Sequence, residues 1–259
     1  MGKETGKERQ LGDFSGKTVL VTGASSEIGR AICGELNKRG ATLVLMGRDE
    51  GSLMETKKML GGSGHHIAPF DLADHAGILS RVDEVSSGVG PIYGLCHAAG
   101  VDQTRPFSAC KPDVVQAILN VNLVAGIEIA RVICRRNVMT EGGAILFISS
   151  IAAHVGVAGR VAYSASKGGI AAAARAMAAE LARRKIRVNV LSPGLVSTHV
   201  TDLELAKLSK EQIAAIERAH PLGIGTPEDV ARAAAFLLSP ESLWITGADL
   251  LIDGGYTAI

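Results

Sequence analysis

Residues 18–29 read TVLVTGASSEIG. The first five are a short apolar, β-branched run, the pattern of a buried strand. A glycine-bearing turn follows over 22–29. Helix-like spacing then runs over 28–39, and Gly40 stops it. A strand that passes through such a turn into a helix is the setting in which a dinucleotide's phosphates are held. Glycine lets the backbone come close to the anion, and the first N–H groups of the helix bind it with the help of the dipole. An ordinary strand–turn–helix reads the same way, so the turn alone does not decide function.

The same alternation continues to the C-terminus. ATLVLM (41–46), HHIAPF (65–70), GLCHA (94–98), AILFIS (144–149), IRVNVL (186–191) and DLLID (249–253) read as further strands. Helical patterns cover 75–88, 111–137, 161–184 and 227–239. Near-continuous apolar strands separated by helices predict a parallel sheet covered on both faces. The fold class is therefore α/β: a doubly wound, Rossmann-type parallel sheet of seven strands in a single domain over 13–259. Residues 1–12, MGKETGKERQLG, are polar and aperiodic and are expected to form a disordered arm.

Composition narrows the function. The 259 residues include 27 basic and 26 acidic side chains, which argues against a nucleic-acid partner. Hydrophobic residues make up 47% but aromatics only 3%, so the core must be aliphatic. Cys33, Cys96, Cys110 and Cys134 form no paired motif and read as reduced thiols of a cytoplasmic protein. No uninterrupted apolar run approaches the length that spans a bilayer, so no membrane association is expected.

Strand two ends in Met46-Gly47-Arg48. A carboxylate normally stands here to bind the adenosine ribose of NAD, and position 47 has none. Arg48 instead offers a guanidinium fork to a ribose 2′-phosphate, which favours NADP(H) over NAD(H). Glu27 sits where the turn calls for a third glycine; to leave room for a phosphate it must project outward.

Tyr163 and Lys167 lie one helical turn apart, on one face of a predicted helix. A tyrosine near its ordinary pKa of ~10 is a poor base, and a neighbouring ammonium is expected to favour the phenolate. Ser149 and Ser150 end a predicted buried strand, where open α/β sheets place their ligands. Asn120 and Asn122 interrupt a helical pattern that disfavours asparagine. Either has a use there, or the pair marks a cap or kink.

Together these residues resemble the short-chain dehydrogenase/reductase family in its single-domain form, from about Lys17 to the C-terminus. Its C-terminal segments, Pro221-Leu222-Gly223 and 245–255, are most similar to 3-oxoacyl-acyl-carrier-protein reductases. The resemblance implies a catalytic set of Asn122, Ser150, Tyr163 and Lys167. It implies cofactor binding by Gly23, Ser25, Ser26, Ile28 and Gly29 in the turn, by Arg48, and by Asp71 and Leu72 at the adenine. Ala99 and Gly100 (from His97-Ala98-Ala99-Gly100), Tyr163, Lys167, Pro193, Gly194, Val196 and Thr198 complete that set, with Thr198 at the nicotinamide carboxamide. No metal is implied. The implied reaction passes a hydride between NADP(H) and a carbonyl or secondary alcohol. Tyr163 transfers the proton, Lys167 lowers its pKa and binds the ribose, Ser150 binds the substrate oxygen, and Asn122 anchors a relay water.

Two departures fall on the cofactor side: Glu27 in the turn, and His97-Ala98 where the family has two asparagines. The latter implies lost supporting contacts. Residues 199–220 look like a helical lid, and His154, Val155, Val157, Gly159 and Arg160 are candidates for the pocket wall. Of the two basic positions that dock an acidic carrier protein in the reductases, Arg184 is kept and the other is Glu141. A carrier-protein partner is thus disfavoured against a small-molecule ketone or alcohol. A homotetramer is implied, built on the helices at 111–137 and 161–184. An NAD-dependent alcohol or polyol dehydrogenase and a non-catalytic dinucleotide-binding relative are the alternative readings.

Overall fold

The computed structural model describes residues 13–259, so the arm expected at 1–12 lies outside the described residues. Seven strands form one sheet: β1 (Thr18–Thr22), β2 (Thr42–Gly47), β3 (His66–Pro69), β4 (Ile92–His97), β5 (Met139–Ile148), β6 (Arg187–Pro193) and β7 (Asp249–Ile252). All pairings are parallel, in the order β3-β2-β1-β4-β5-β6-β7. Strand order reverses between β1 and β4. A ligand site is expected beyond their carboxyl ends, where the loops leave in opposite directions.

Helices cover both faces. Alternate strand residues point to opposite sides, so Leu20, Val44, Leu95 and Ile145 feed one core and Val19, Leu43, Cys96 and Leu146 the other. The first core receives α3 (Ile78–Val89), α5 (Ala125–Ile133) and α6 (Val161–Leu181) through Val82, Ile129 and Ala174. The second receives α1 (Glu27–Lys38), α2 (Glu50–Met59) and α9 (Pro227–Leu238) through Ile32, Leu53 and Ala234. The alanines of α6 that are buried, Ala162, Ala171, Ala174 and Ala178, let that helix lie close to its neighbours. The remaining helices are α4 (Pro112–Leu119), α7 (His199–Leu205) and α8 (Lys210–Arg218).

Several element boundaries depart from the sequence expectation. Helix α2 went unread, because only Leu53 and Thr56 of its ten residues are buried and its apolar signal is weak. The helix expected over 111–137 is three pieces: α4, a π turn at Asn120–Val124, and α5, which ends at Ile133. Strand β5 begins at Met139 rather than 144, since its first residues carry too little hydrophobicity to announce it. The stretch Pro112–Ile133 is in fact long and apolar enough to cross a membrane by composition. Its inner face, however, is buried against the sheet at Ala125, Ile129, Ala130 and Ile133, as in the core helix of a globular domain.

Candidate active site

The turn after β1 folds as its residues require. Gly23 has φ +67°, and a Cβ there would come within 2.8 Å of the Ala99 backbone. A Cβ on Gly29 would overlap the Gly23 carbonyl. Ser26 caps α1: its hydroxyl donates to the Gly23 carbonyl (2.8 Å) and accepts the Gly29 N–H (3.1 Å). Other first-turn N–H groups have no carbonyl within the helix to reach. This turn forms one wall of a cleft at the β1/β4 reversal. Gly23, Ser25, Ser26, Arg48, Asp71, Leu72, Ala99 and Gly100 line it. Ile28 and Gly29 stand just behind, in the first turn of α1.

Arg48 is exposed on the cleft and pairs with no carboxylate among the described residues. Asp71 accepts the Ala73 N–H at 3.0 Å, which holds the loop after β3. The glycines keep side chains out of the space a diphosphate needs, and Arg48 supplies a cation at its far end. The donor set fits a dinucleotide.

His97, where lost supporting contacts are expected, keeps one polar contact through its ring. His97 is buried, and its Nδ1 lies 3.0 Å from the Thr22 hydroxyl. Thr22 Oγ1 also accepts the Ala99 N–H at 3.2 Å. The hydroxyl proton is then free to point at Nδ1, which leaves the imidazole's own proton on Nε2. Burial, joined by the nearby Lys167 charge, pushes the His97 pKa down to about 3, against the Asn122 backbone carbonyl. The neutral ring thus holds Thr22 through Nδ1, while its Nε2 is buried without a hydrogen-bond partner.

The other half of the site lies at the end of β5. Ser150 follows the strand in extended backbone, and its hydroxyl accepts the Ala152 N–H (3.2 Å). Ser149 faces inward and donates to the Lys167 carbonyl (3.0 Å), joining β5 to α6. On α6 the Lys167 ammonium is buried, donates to the Ile148 carbonyl (2.8 Å) and stands 5.5 Å from the centre of the Tyr163 ring. Burial pushes the Lys167 pKa down to about 8, opposed by Asp102.

The tyrosine departs from its expected titration. Burial pushes the Tyr163 phenol above its ordinary pKa, and the Asp102 charge adds to this; the Ser150 hydroxyl and Arg160 pull the other way without prevailing. The proximity of Lys167 does not reverse the effect of burial. With its pKa raised, the Tyr163 phenol holds its proton more firmly than a free tyrosine does.

Asn122, rather than Asn120, faces the site. The π turn widens the helix so that Asn122 reaches across. Its Oδ1 accepts the Val101 N–H (2.8 Å), and its Nδ2 donates to the Val101 carbonyl (2.9 Å) and the Ser166 hydroxyl (3.0 Å). Asn120 instead accepts from Gln116 on the surface at 2.6 Å. Asn122 thus ties the loop after β4 to α6, one residue from Lys167.

Pro193 ends β6, and Gly194 packs so tightly that a Cβ would meet Asp253 Cα at 2.8 Å. Val196 is nearly buried in a bridge with Gly225. Thr198 caps α7, its hydroxyl accepting the Thr201 N–H at 3.3 Å. The region expected to form a lid folds as two helices, α7 and α8, and none of the residues in either is buried.

Of the candidate wall residues, His154 pairs with Asp249 (2.9 Å), whose other oxygen accepts from Ser192 (2.6 Å). Arg160 pairs with Asp102 (3.2 Å), approaches Glu204 of α7 (3.7 Å) and lies 5.9 Å from the Tyr163 ring centre. Asp102 was missed in the sequence, although it stands two residues beyond Gly100 and acts on both Tyr163 and Lys167. Arg184 is committed elsewhere: it donates to the Cys134 carbonyl and to that of Met139 (3.2 Å). No metal-ligand cluster occurs among the described residues.

With this geometry in view, the comparisons with known proteins agree on a lineage. The family described as enoyl-(acyl carrier protein) reductase matches residues 23–257. The 3-oxoacyl-[acyl-carrier-protein] reductase FabG of Vibrio harveyi is 33% identical over 244 residues, covering 94% of this chain and 98% of that protein. Carbonyl reductase family member 4 of Danio rerio is 35% identical over 240 residues, covering 92% and 97%. Among solved structures, a short-chain dehydrogenase/reductase from Serratia marcescens superposes with a TM-score of 0.87 at 28% identity, covering 94% and 99%.

Proposed function

Because the chain belongs to the short-chain dehydrogenase/reductase family, a family of oxidoreductases, we propose that it is an NADP(H)-dependent ketoreductase acting between a carbonyl and a secondary alcohol. The observation that carries this reading is the Tyr163 phenol. It stands one helical turn from Lys167, whose ammonium lies 5.5 Å from the ring centre, and beside Ser150 at the end of β5.

Gly23, Ser25, Ser26, Ile28 and Gly29 would hold the diphosphate, Arg48 the 2′-phosphate, and Asp71 with Leu72 the adenine. Ala99, Gly100, Pro193, Gly194, Val196 and Thr198 would flank the nicotinamide end. Once bound there, NADPH supplies the hydride that the carbonyl carbon accepts. Ser150 donates a hydrogen bond to the carbonyl oxygen and stabilises the charge that develops on it. Tyr163 gives its proton to the same oxygen as general acid. Lys167 stabilises the phenolate left behind and binds the nicotinamide ribose. The side chain of Asn122 is already engaged, so the relay role falls to its backbone.

Two polar hydroxyls converging on one oxygen suit a C=O bond. The relatives named as 3-oxoacyl and carbonyl reductases support that bond class. A small-molecule substrate is favoured over an acyl-carrier protein, because Arg184 spends its guanidinium on backbone carbonyls and Glu141 is acidic. Free thiols at all four cysteines suit a cytoplasmic setting.

A homotetramer is the proposed assembly. Val124, Ile127 and Val161 expose apolar side chains on and beside α5 and α6. The edge strand β7 exposes Leu250 and Leu251, and Trp244 nearby is 99% exposed.

The experiment is NADPH consumption over a panel of small ketones, sugars and 3-oxoacyl thioesters. Reduction of at least one ketone is expected. NADPH binding with no turnover on any of them would favour the non-catalytic alternative.

A further inference from the structure

Glu27 occupies the first position of α1, where the turn calls for glycine. Its Oε1 accepts the backbone N–H of His199 at 2.8 Å. His199 opens α7, directly after Thr198. A side chain of the phosphate-binding turn therefore crosses to the lid, 172 residues away in sequence. The far end of α7 is tied as well, through Glu204 to Arg160 beside Tyr163.

These end contacts matter because α7 has little else. It is seven residues long and none of them is buried, so packing contributes little to its placement. A hydrogen bond from an N–H to a carboxylate is among the stronger kinds. At a helix start the dipole reinforces it.

We propose that Glu27 is a positioning residue: a strap that fastens α7 to the phosphate-binding turn at the edge of the nucleotide cleft, so that cofactor exchange requires this contact to break. The inference rests on the reading of the cleft as a dinucleotide site. It gives the departure from glycine a use. A carboxylate near a diphosphate is unfavourable, and the cost is tolerated because the same group holds the lid.

Three substitutions separate the strap from the charge. Glu27→Gln keeps an acceptor oxygen and removes the charge. Glu27→Gly removes both, and Glu27→Ala does so while preserving helix propensity. Two readouts apply: hydrogen exchange of the 199–205 amides in the cofactor-free protein, and the NADPH dissociation rate by stopped-flow displacement. In the Gly and Ala variants both rates should rise roughly tenfold or more, as expected for losing one charge-assisted hydrogen bond. Glu27→Gln should fall between the parent and these variants on both, since a neutral acceptor retains about half of such a bond. Parent-like exchange and dissociation in the Gly and Ala variants would overturn the proposal. So would a Gln variant that behaves as they do. If NADPH does not bind the parent, the dinucleotide reading fails on its own, and the exchange measurement still decides whether Glu27 holds α7.

Discussion

The Thr22 hydroxyl lies 3.0 Å from Nδ1 of His97, and the two residues are register partners at the ends of β1 and β4. This contact closes the floor of the cleft at the point where strand order reverses. It also places a titratable ring where the family has an amide.

That ring should make the protein acid-sensitive. Its folded pKa, about 3, lies below the ordinary 6.5. Between those values the unfolded chain binds a proton that the folded one does not, so stability falls as pH drops from 6.5 toward 3. At pH 5 the loss from this residue is about 2 kcal/mol. His97→Asn should remove that part of the acid limb in urea unfolding at pH 7 and pH 5. An unchanged difference between the two pH values would assign the sensitivity to other groups.

Cofactor choice should rest on Arg48. Replacing it with alanine should weaken NADPH by roughly 1.5–3 kcal/mol, the worth of a charge-assisted hydrogen bond, and leave NADH nearly unchanged. Fluorescence titration of parent and variant with both cofactors measures this. Equal losses for the two, or tighter NADH binding by the parent, would contradict the assignment.

Assembly is tested by light scattering at micromolar protein. A mass near four chains is expected, with Trp244 fluorescence shifted to the blue by burial at an interface. Trp244→Glu should shift the mass toward smaller species, since a buried unpaired carboxylate is costly. A monomeric parent would refute the tetramer.

Much of the fold was legible because the five inner strands are largely buried on both faces and read as apolar runs between helices. The phosphate turn was legible because its glycines answer to close backbone contacts, as Gly23 does against Ala99. What was not legible depends on burial and long-range contact. Helix α2 lacks a strong apolar stripe, and the π turn leaves no mark beyond two asparagines. The raised pKa of Tyr163 follows from how deeply the phenol is covered and from Asp102, neither of which local spacing reveals. The bond from His199 to Glu27 joins segments that only the sheet topology brings together.

The central claim is that Tyr163 delivers the proton in carbonyl reduction, and the NADPH-dependent reduction rate of Tyr163→Phe on any ketone the parent turns over tests it most directly. The substitution removes one hydroxyl and leaves the ring in place, so the fold and NADPH affinity should be kept. General acid catalysis is worth about 10²–10⁴-fold, and turnover should fall by at least that much. Retention of most of the parent's rate, with NADPH still bound, would contradict the account and place the chemistry on another residue.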